Sequence, residues 1–194
     1  MRKLDSIYDN FIDNICIDGS NLIDCYFYKL NFSANDITTL SLITGLGCVS
    51  LFMQQQYVLS GIFYMISFFF DCMDGNYARK YKMTSDIGDL YDHFKDYLIF
   101  SILFYLLYQH HKNSQYKYIY LTIFIIFLIS CGMHFGCQEI YYDKPTTTTK
   151  IYQKMCPIQN KDNVTDALKY TKYFGCGTLA LFLSIFIALT NYLK

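Results

Sequence analysis

Six of the chain's fifteen aspartates fall between positions 71 and 96, five of them in two short runs, DCMDGNYAR (71–79) and GDLYDHFKD (88–96). On a helix, positions 71, 74, 75 and 78 share one face, and so do 88, 92 and 96. Two helices joined by a short loop therefore aim Asp71, Asp74, Asp92 and Asp96 into one pocket. Gly75, Ala78 and Gly88 line the same faces with almost no side chain, which leaves room for a bulky or phosphorylated ligand. Asp86 and Asp89 fall off these faces and are expected to be solvated. Four clustered carboxylates repel one another strongly where the dielectric is low. Hard divalent cations remove that repulsion, and magnesium is commonly held by a few carboxylates together with substrate phosphates. Two such ions can grip a pyrophosphate and steady the charge on its leaving group. Arg79 adds a planar, permanently charged fork for phosphate, in a chain where fourteen of sixteen basic residues are Lys.

The two runs, with their spacing of eight residues, resemble the signature of the CDP-alcohol phosphatidyltransferase family, DxxDGxxAR, eight residues, GxxxDxxxD. All its defining positions are present, as Asp71, Asp74, Gly75, Ala78, Arg79, Gly88, Asp92 and Asp96. Ahead of them, SANDIT (33–38) is similar to the PNxIT element of that family, with Ala34 in place of Pro. The resemblance implies a transferase of phospholipid biosynthesis. In it Asp71, Asp74, Asp92 and Asp96 bind two ions, Mg2+ or Mn2+, while Gly75, Ala78, Arg79, Gly88 and Asn35 contact the CDP part of the donor. It also implies CDP-alcohol and lipid substrates and a homodimer, with a juxtamembrane region over 1–34 and the phosphatidyltransferase domain over 35–194. Within the family, GDLYDH (88–93) looks like the branch that moves phosphocholine or phosphoethanolamine from a CDP-alcohol to diacylglycerol and releases CMP. Phe94 replaces the usual Gly of that branch. His93 then serves as general base, supported by Glu139, the only Glu in the chain, with Asp96 close to the chemistry. The alternative is a CDP-diacylglycerol-dependent enzyme with inositol, serine or glycerol phosphate as acceptor. A phosphorylated acceptor calls for extra basic groups on the inner faces of the spans, and none stands out. An intramembrane prenyltransferase lacks a counterpart of the GxxAR segment. A divalent-cation transporter has no need of Arg79, and an inactive scaffold has no need of a complete motif.

The elements that must position these residues are membrane helices. Hydrophobic residues make up 53% of the chain and charged ones only 16%, and the formal net charge of zero gives no case for a nucleic-acid partner. Uncharged stretches at 37–53, 118–138 and 173–193 can each span a bilayer or nearly so, since a span takes about 20 residues. Helices over 57–78 and 88–109 also reach across, provided that the aspartates enter the membrane edge, where ionisable groups are costly and usually functional. The expected fold is all-α, a polytopic transmembrane bundle with five, possibly six, spans, preceded by amphipathic helices. Leu4, Ile7, Tyr8, Phe11, Ile12 and Ile15 mark a first such helix, and Leu22, Ile23, Tyr26, Phe27 and Leu30 a second after Gly19. The acidic side of the first suggests packing against the bundle rim rather than an interfacial role. Residues 141–172, with Pro145 and the run Thr146 to Thr149, read as a flexible polar loop. Cys131, His134 and Cys137 read as ordinary helix residues, and the eight Cys give no sign of a disulfide framework.

With the N-terminus inside, thirteen Lys and Arg fall on the inner side and three (Lys112, Lys117 and Lys194) on the outer. This bias puts the Asp-rich segment at the cytosolic face, of an endoplasmic-reticulum-like membrane for a eukaryotic or viral chain. Cysteines introduced at Ser85 and Ser114 should accordingly label from opposite sides of sealed vesicles, whereas labelling from one side breaks this topology.

Overall fold

The structure is a computed structural model and describes residues 2–142 and 150–193. The helices are α1 (Phe11–Lys29), α2 (Ala34–Met53), α3 (Tyr57–Lys80), α4 (Asp86–His111), α5 (Lys117–Tyr142), α6 (Lys150–Gln153), α7 (Val164–Thr171) and α8 (Cys176–Leu189). A 3-10 turn, Lys172–Phe174, joins the last two, and no strand occurs among the described residues. Helices α2, α3 and α5 and the stretch Val164–Leu189 are long and apolar enough to cross a membrane, at 20, 24, 26 and 26 residues. Helix α4 matches them with 26 residues, and its charges crowd into the first half. Ile62, Ile66, Ile126, Ile129 and Ile185 stand exposed along the spans, as lipid contact requires.

The described residues form two compact units, one from 16–117 and the chain beyond 180, the other from 2–15 and 118–179. In the first, α2 and α3 lie along each other through small and hydroxyl-bearing residues, which let membrane helices approach closely. The Ser41 hydroxyl donates to the Ser67 carbonyl (2.9 Å), Ser67 returns the bond to the Ser41 carbonyl (2.8 Å), and Ser60 donates to the Cys48 carbonyl (2.8 Å). Without lipid-accessible water, each such bond satisfies a group that would otherwise be stranded. Gly61 lets the chain beyond 180 come equally close: a Cβ there would lie 2.6 Å from the Ser184 carbonyl oxygen, and the Ser184 hydroxyl donates to the Gly61 carbonyl.

The helix ends near the site are fixed locally. Ser33 and Asp36 form a reciprocal capping box at the start of α2, and the Ser85 hydroxyl accepts from the Gly88 amide at the start of α4. Each cap contributes about 1 kcal/mol. The α3–α4 turn closes with Lys82 at φ 59 and a bond from the Met83 amide to the Ala78 carbonyl (2.8 Å), a helix-ending pattern that usually employs glycine. That tight turn delivers the second acidic run directly opposite the first.

Three sequence expectations change. The amphipathic N-terminal region forms one helix, α1, rather than two, with Leu4, Ile7 and Tyr8 in the bend and turn ahead of it. It runs through Gly19, whose missing side chain admits the Phe69 ring (3.2 Å from a built Cβ). Its polar side is the packed one: Asp24 is 1% exposed and pairs with Lys80 at 2.5 Å. The row Phe11, Ile15, Leu22 and Tyr26 faces outward, as an interfacial helix requires. The expected loop over 141–172 contains α6 and α7, because Val164, Ala167 and Leu168 recur at helical spacing and bury against Leu4 and Cys137. Pro145 and the run Thr146 to Thr149 lie outside the described residues. By length and composition the last candidate span is Val164–Leu189, since α8 alone, with 14 residues, falls short of the about 20 that a span takes.

The third change concerns cysteine. Cys137 and Cys156 form a disulfide across 19 positions in the second unit. Spacing alone gave no hint of it, because Cys156 reaches α5 only through the helical segment that the sequence concealed. His134 is fully buried, with Nδ1 3.0 Å from the Thr171 hydroxyl and Nε2 3.0 Å from the Gln138 amide nitrogen.

Candidate active site

The last turns of α3 and the first half of α4 carry the acidic residues. One carboxylate oxygen from each of Asp71, Asp74 and Asp92 lies within 4.8 Å of the others, and Asp92, His93 and Asp96 form a second such group. The structure thus gathers the four aspartates of the two runs into adjoining groups that share Asp92. Asp74 is 5% exposed, and its Oδ2 is buried without a hydrogen-bond partner. A buried carboxylate oxygen left unpaired is strongly destabilising, so this atom asks for a cation. Three converging carboxylates, with Asp74 Oδ2 and Asp92 Oδ1 both buried without a hydrogen bond, fit a hard divalent ion such as Mg2+ or Mn2+.

The small residues keep the approach narrow and defined. Arg79 folds back over Gly75, where an added Cβ would lie 3.2 Å from its Nη1. At Gly88 a Cβ would meet the Asn35 side-chain oxygen at 2.9 Å, so the starts of α2 and α4 touch through the absence of a side chain. Ala78 borders the core formed by Ile37, Met73 and Tyr77. Asn35, Gly75, Ala78, Arg79 and Gly88 are all in the unit that holds the aspartates.

One component escaped the sequence reading. Lys95 counts there among the inner-side charges and therefore as a solvated residue. In the structure it is 2% exposed and sits at the centre of the cluster. Its Nζ pairs with Asp71, with Asp96 at 2.8 Å and with Asp92 at 3.2 Å, and it donates to the Ser41 hydroxyl on α2 at 3.1 Å. Setting aside Lys95, and Lys169 and Lys172 within Val164–Leu189, leaves ten inner-side charges against three, so the bias stands. The statement that no basic group lines the inner faces is also corrected. Lys95 follows Asp92 by three positions and so shares its helical face, but that spacing alone does not separate a buried lysine from a solvated one.

His93 lies beside the cluster, and its Nε2 is 3.9 Å from Asp89 Oδ1 one turn earlier. Asp89 was expected to be merely solvated, so the carboxylate nearest to that ring was also missed. Glu139, in the other unit, is 1% exposed and pairs with Lys3, whose ammonium lies 5.3 Å from the Phe135 ring centroid.

Saturating Mn2+ or Mg2+ should raise the melting temperature of the purified protein by several degrees, because occupancy at about 100 times Kd is worth roughly 2.7 kcal/mol. Asp74→Asn should abolish that shift without lowering metal-free stability, since it removes an uncompensated buried charge. A shift of normal size in Asp74→Asn would remove this residue from the metal site.

A model of the CDP-alcohol phosphatidyltransferase family matches residues 31–191, which include every residue of the acidic cluster. The comparisons with curated proteins and with solved structures gave no match. The matched span covers far more than half of the sequence, and the helices, the small-residue lining and the convergent carboxylates all belong to it. The chain belongs to the CDP-alcohol phosphatidyltransferase family, membrane transferases that move a phosphate-bearing alcohol from a CDP-alcohol.

Proposed function

We propose that this chain transfers phosphocholine or phosphoethanolamine from the CDP-alcohol to diacylglycerol and releases CMP. The observation that carries the reading is the His93 imidazole, with one ring nitrogen in the group formed with Asp92 and Asp96, all within 4.8 Å. A base must stand near the point where the acceptor hydroxyl arrives. Asp71, Asp74 and Asp92 would hold the divalent metal, which would supply charge to steady the pyrophosphate and the departing CMP.

The remaining work falls to the chain's own groups. Gly75, Ala78 and Gly88 leave space for the donor, Asn35 borders that space at Gly88, and Arg79 offers a two-pronged contact to phosphate. The diacylglycerol hydroxyl oxygen bonds to the phosphorus that bears the choline or ethanolamine. The bond from that phosphorus to the CMP oxygen breaks, and CMP leaves with the electron pair. His93 takes the hydroxyl proton. Asp89 Oδ1 stands 3.9 Å from its Nε2, and the family resemblance assigns Glu139 the supporting role. An uncharged acceptor suits the site, because the one ammonium at its centre, that of Lys95, is already engaged by three carboxylates. The inner-side charge bias argues that the site opens to the cytosol, where CDP-alcohols are made, and the family resemblance argues for a dimer.

Reconstituted protein offered each labelled CDP-alcohol with diacylglycerol and Mg2+ or Mn2+ should consume CDP-choline or CDP-ethanolamine. Consumption of CDP-diacylglycerol alone, with inositol, serine or glycerol phosphate, would replace this reading by the other branch. Asp92→Asn and Asp96→Asn should nearly abolish turnover. His93→Ala should lower kcat by about 10²–10⁴-fold with metal binding retained, whereas Asp89→Asn and Glu139→Gln should act more weakly in the same direction.

A further inference from the structure

The acidic cluster divides into two overlapping sets. Asp71, Asp74 and Asp92 converge on one another with an orphaned oxygen among them. Asp71, Asp92 and Asp96 instead converge on the ammonium of Lys95. Asp71 and Asp92 belong to both. Two divalent ions held by four carboxylates from two helices would share such a middle pair, with Asp74 completing one ion's ligands and Asp96 the other's. The second of those places carries a side-chain cation in this chain.

Lys95 is built in rather than resting there. Lysines at a membrane edge usually extend their stems towards water and leave the charge outside. Lys95 does the opposite, and only 2% of it is exposed. Its fourth contact comes from α2, where the Ser41 hydroxyl accepts its proton at 3.1 Å while donating to the Ser67 carbonyl at 2.9 Å. One turn further along α4, Ile99 is pressed against Gly45 of α2, with 3.0 Å between its Cγ1 and a built Cβ. The α2–α4 seam is therefore closed beside the stem, and the three ammonium hydrogens face four acceptors. A divalent ion and this ammonium cannot occupy the same carboxylates at once, because both are cations in a water-poor place.

We propose that the Lys95 ammonium takes the place of a second divalent ion, so that this chain holds one ion, at Asp71, Asp74 and Asp92. The proposal rests on the metal-dependent reading above, and the following count separates the two. Mn2+ bound to the full-length protein in detergent or nanodiscs is measured by equilibrium dialysis and by electron paramagnetic resonance. Wild type should bind one Mn2+ per chain with the spectrum of an isolated ion. Lys95→Met should bind two, a twofold rise, with the line broadening of a magnetically coupled pair, and Lys95→Arg should remain at one. Lys95→Gln serves in place of Lys95→Met if the latter does not fold, and the same doubling is expected. Two coupled ions in wild type would overturn the proposal and leave the metal-dependent reading standing. One ion in wild type and also in both neutral variants would show that Lys95 does not exclude the second. No bound Mn2+ in wild type would overturn the metal-dependent reading itself.

Discussion

Mutual repulsion of four carboxylates at the edge of a membrane is the constraint that organises this protein. Two unit charges about 5 Å apart repel by roughly 3 kcal/mol at an effective dielectric of about 20, and several such pairs meet here. A fold whose whole stability amounts to about 5–15 kcal/mol holds them together only where cations or bound protons offset that repulsion. Lys95 supplies one permanent charge from within, pairing with Asp71, Asp92 and Asp96. Asp74 keeps a buried oxygen without a hydrogen-bond partner and so a standing affinity for metal. The same imbalance suits the cluster to a divalent metal ion.

The rest of the unit can be understood as the means of holding that cluster. Ser41 and Ser67 bind α2 to α3 at the level of Lys95, and Gly45 admits α4 beside them. The capped start of α4 and the left-handed Lys82 set the second acidic run against the first, and Gly88 brings Asn35 over it. Larger residues at these positions would separate the helices and relieve the repulsion by moving the carboxylates apart. That relief would cost the site its affinity for cations. Small residues here serve function as much as packing.

The acidic pocket was legible in the sequence because helical spacing alone puts 71, 74 and 75 on one face and 88, 92 and 96 on another. Spans of about 20 apolar residues were legible for the same reason, as length and composition decide them. Lys95 was not, because a lysine next to a membrane span is ordinarily solvated and only tertiary structure reveals three carboxylates around it. Asp89 was set aside by the face argument, yet it sits one turn before His93, where a side chain off the metal face can still meet the ring. Helix α7 hid in a segment whose lysines and asparagines outweigh the buried row Val164, Ala167 and Leu168. The polarity of α1 was legible but its direction was not, since an amphipathic pattern does not state which side meets protein and which meets lipid.

The central claim is that one divalent ion and one lysine together neutralise the four aspartates. An anomalous-scattering map from crystals grown with Mn2+ tests it most directly. The account predicts a single strong peak enclosed by Asp71, Asp74 and Asp92, with the Lys95 ammonium still against Asp71 and Asp96. A second peak between Asp71, Asp92 and Asp96, with Lys95 turned away, would contradict it.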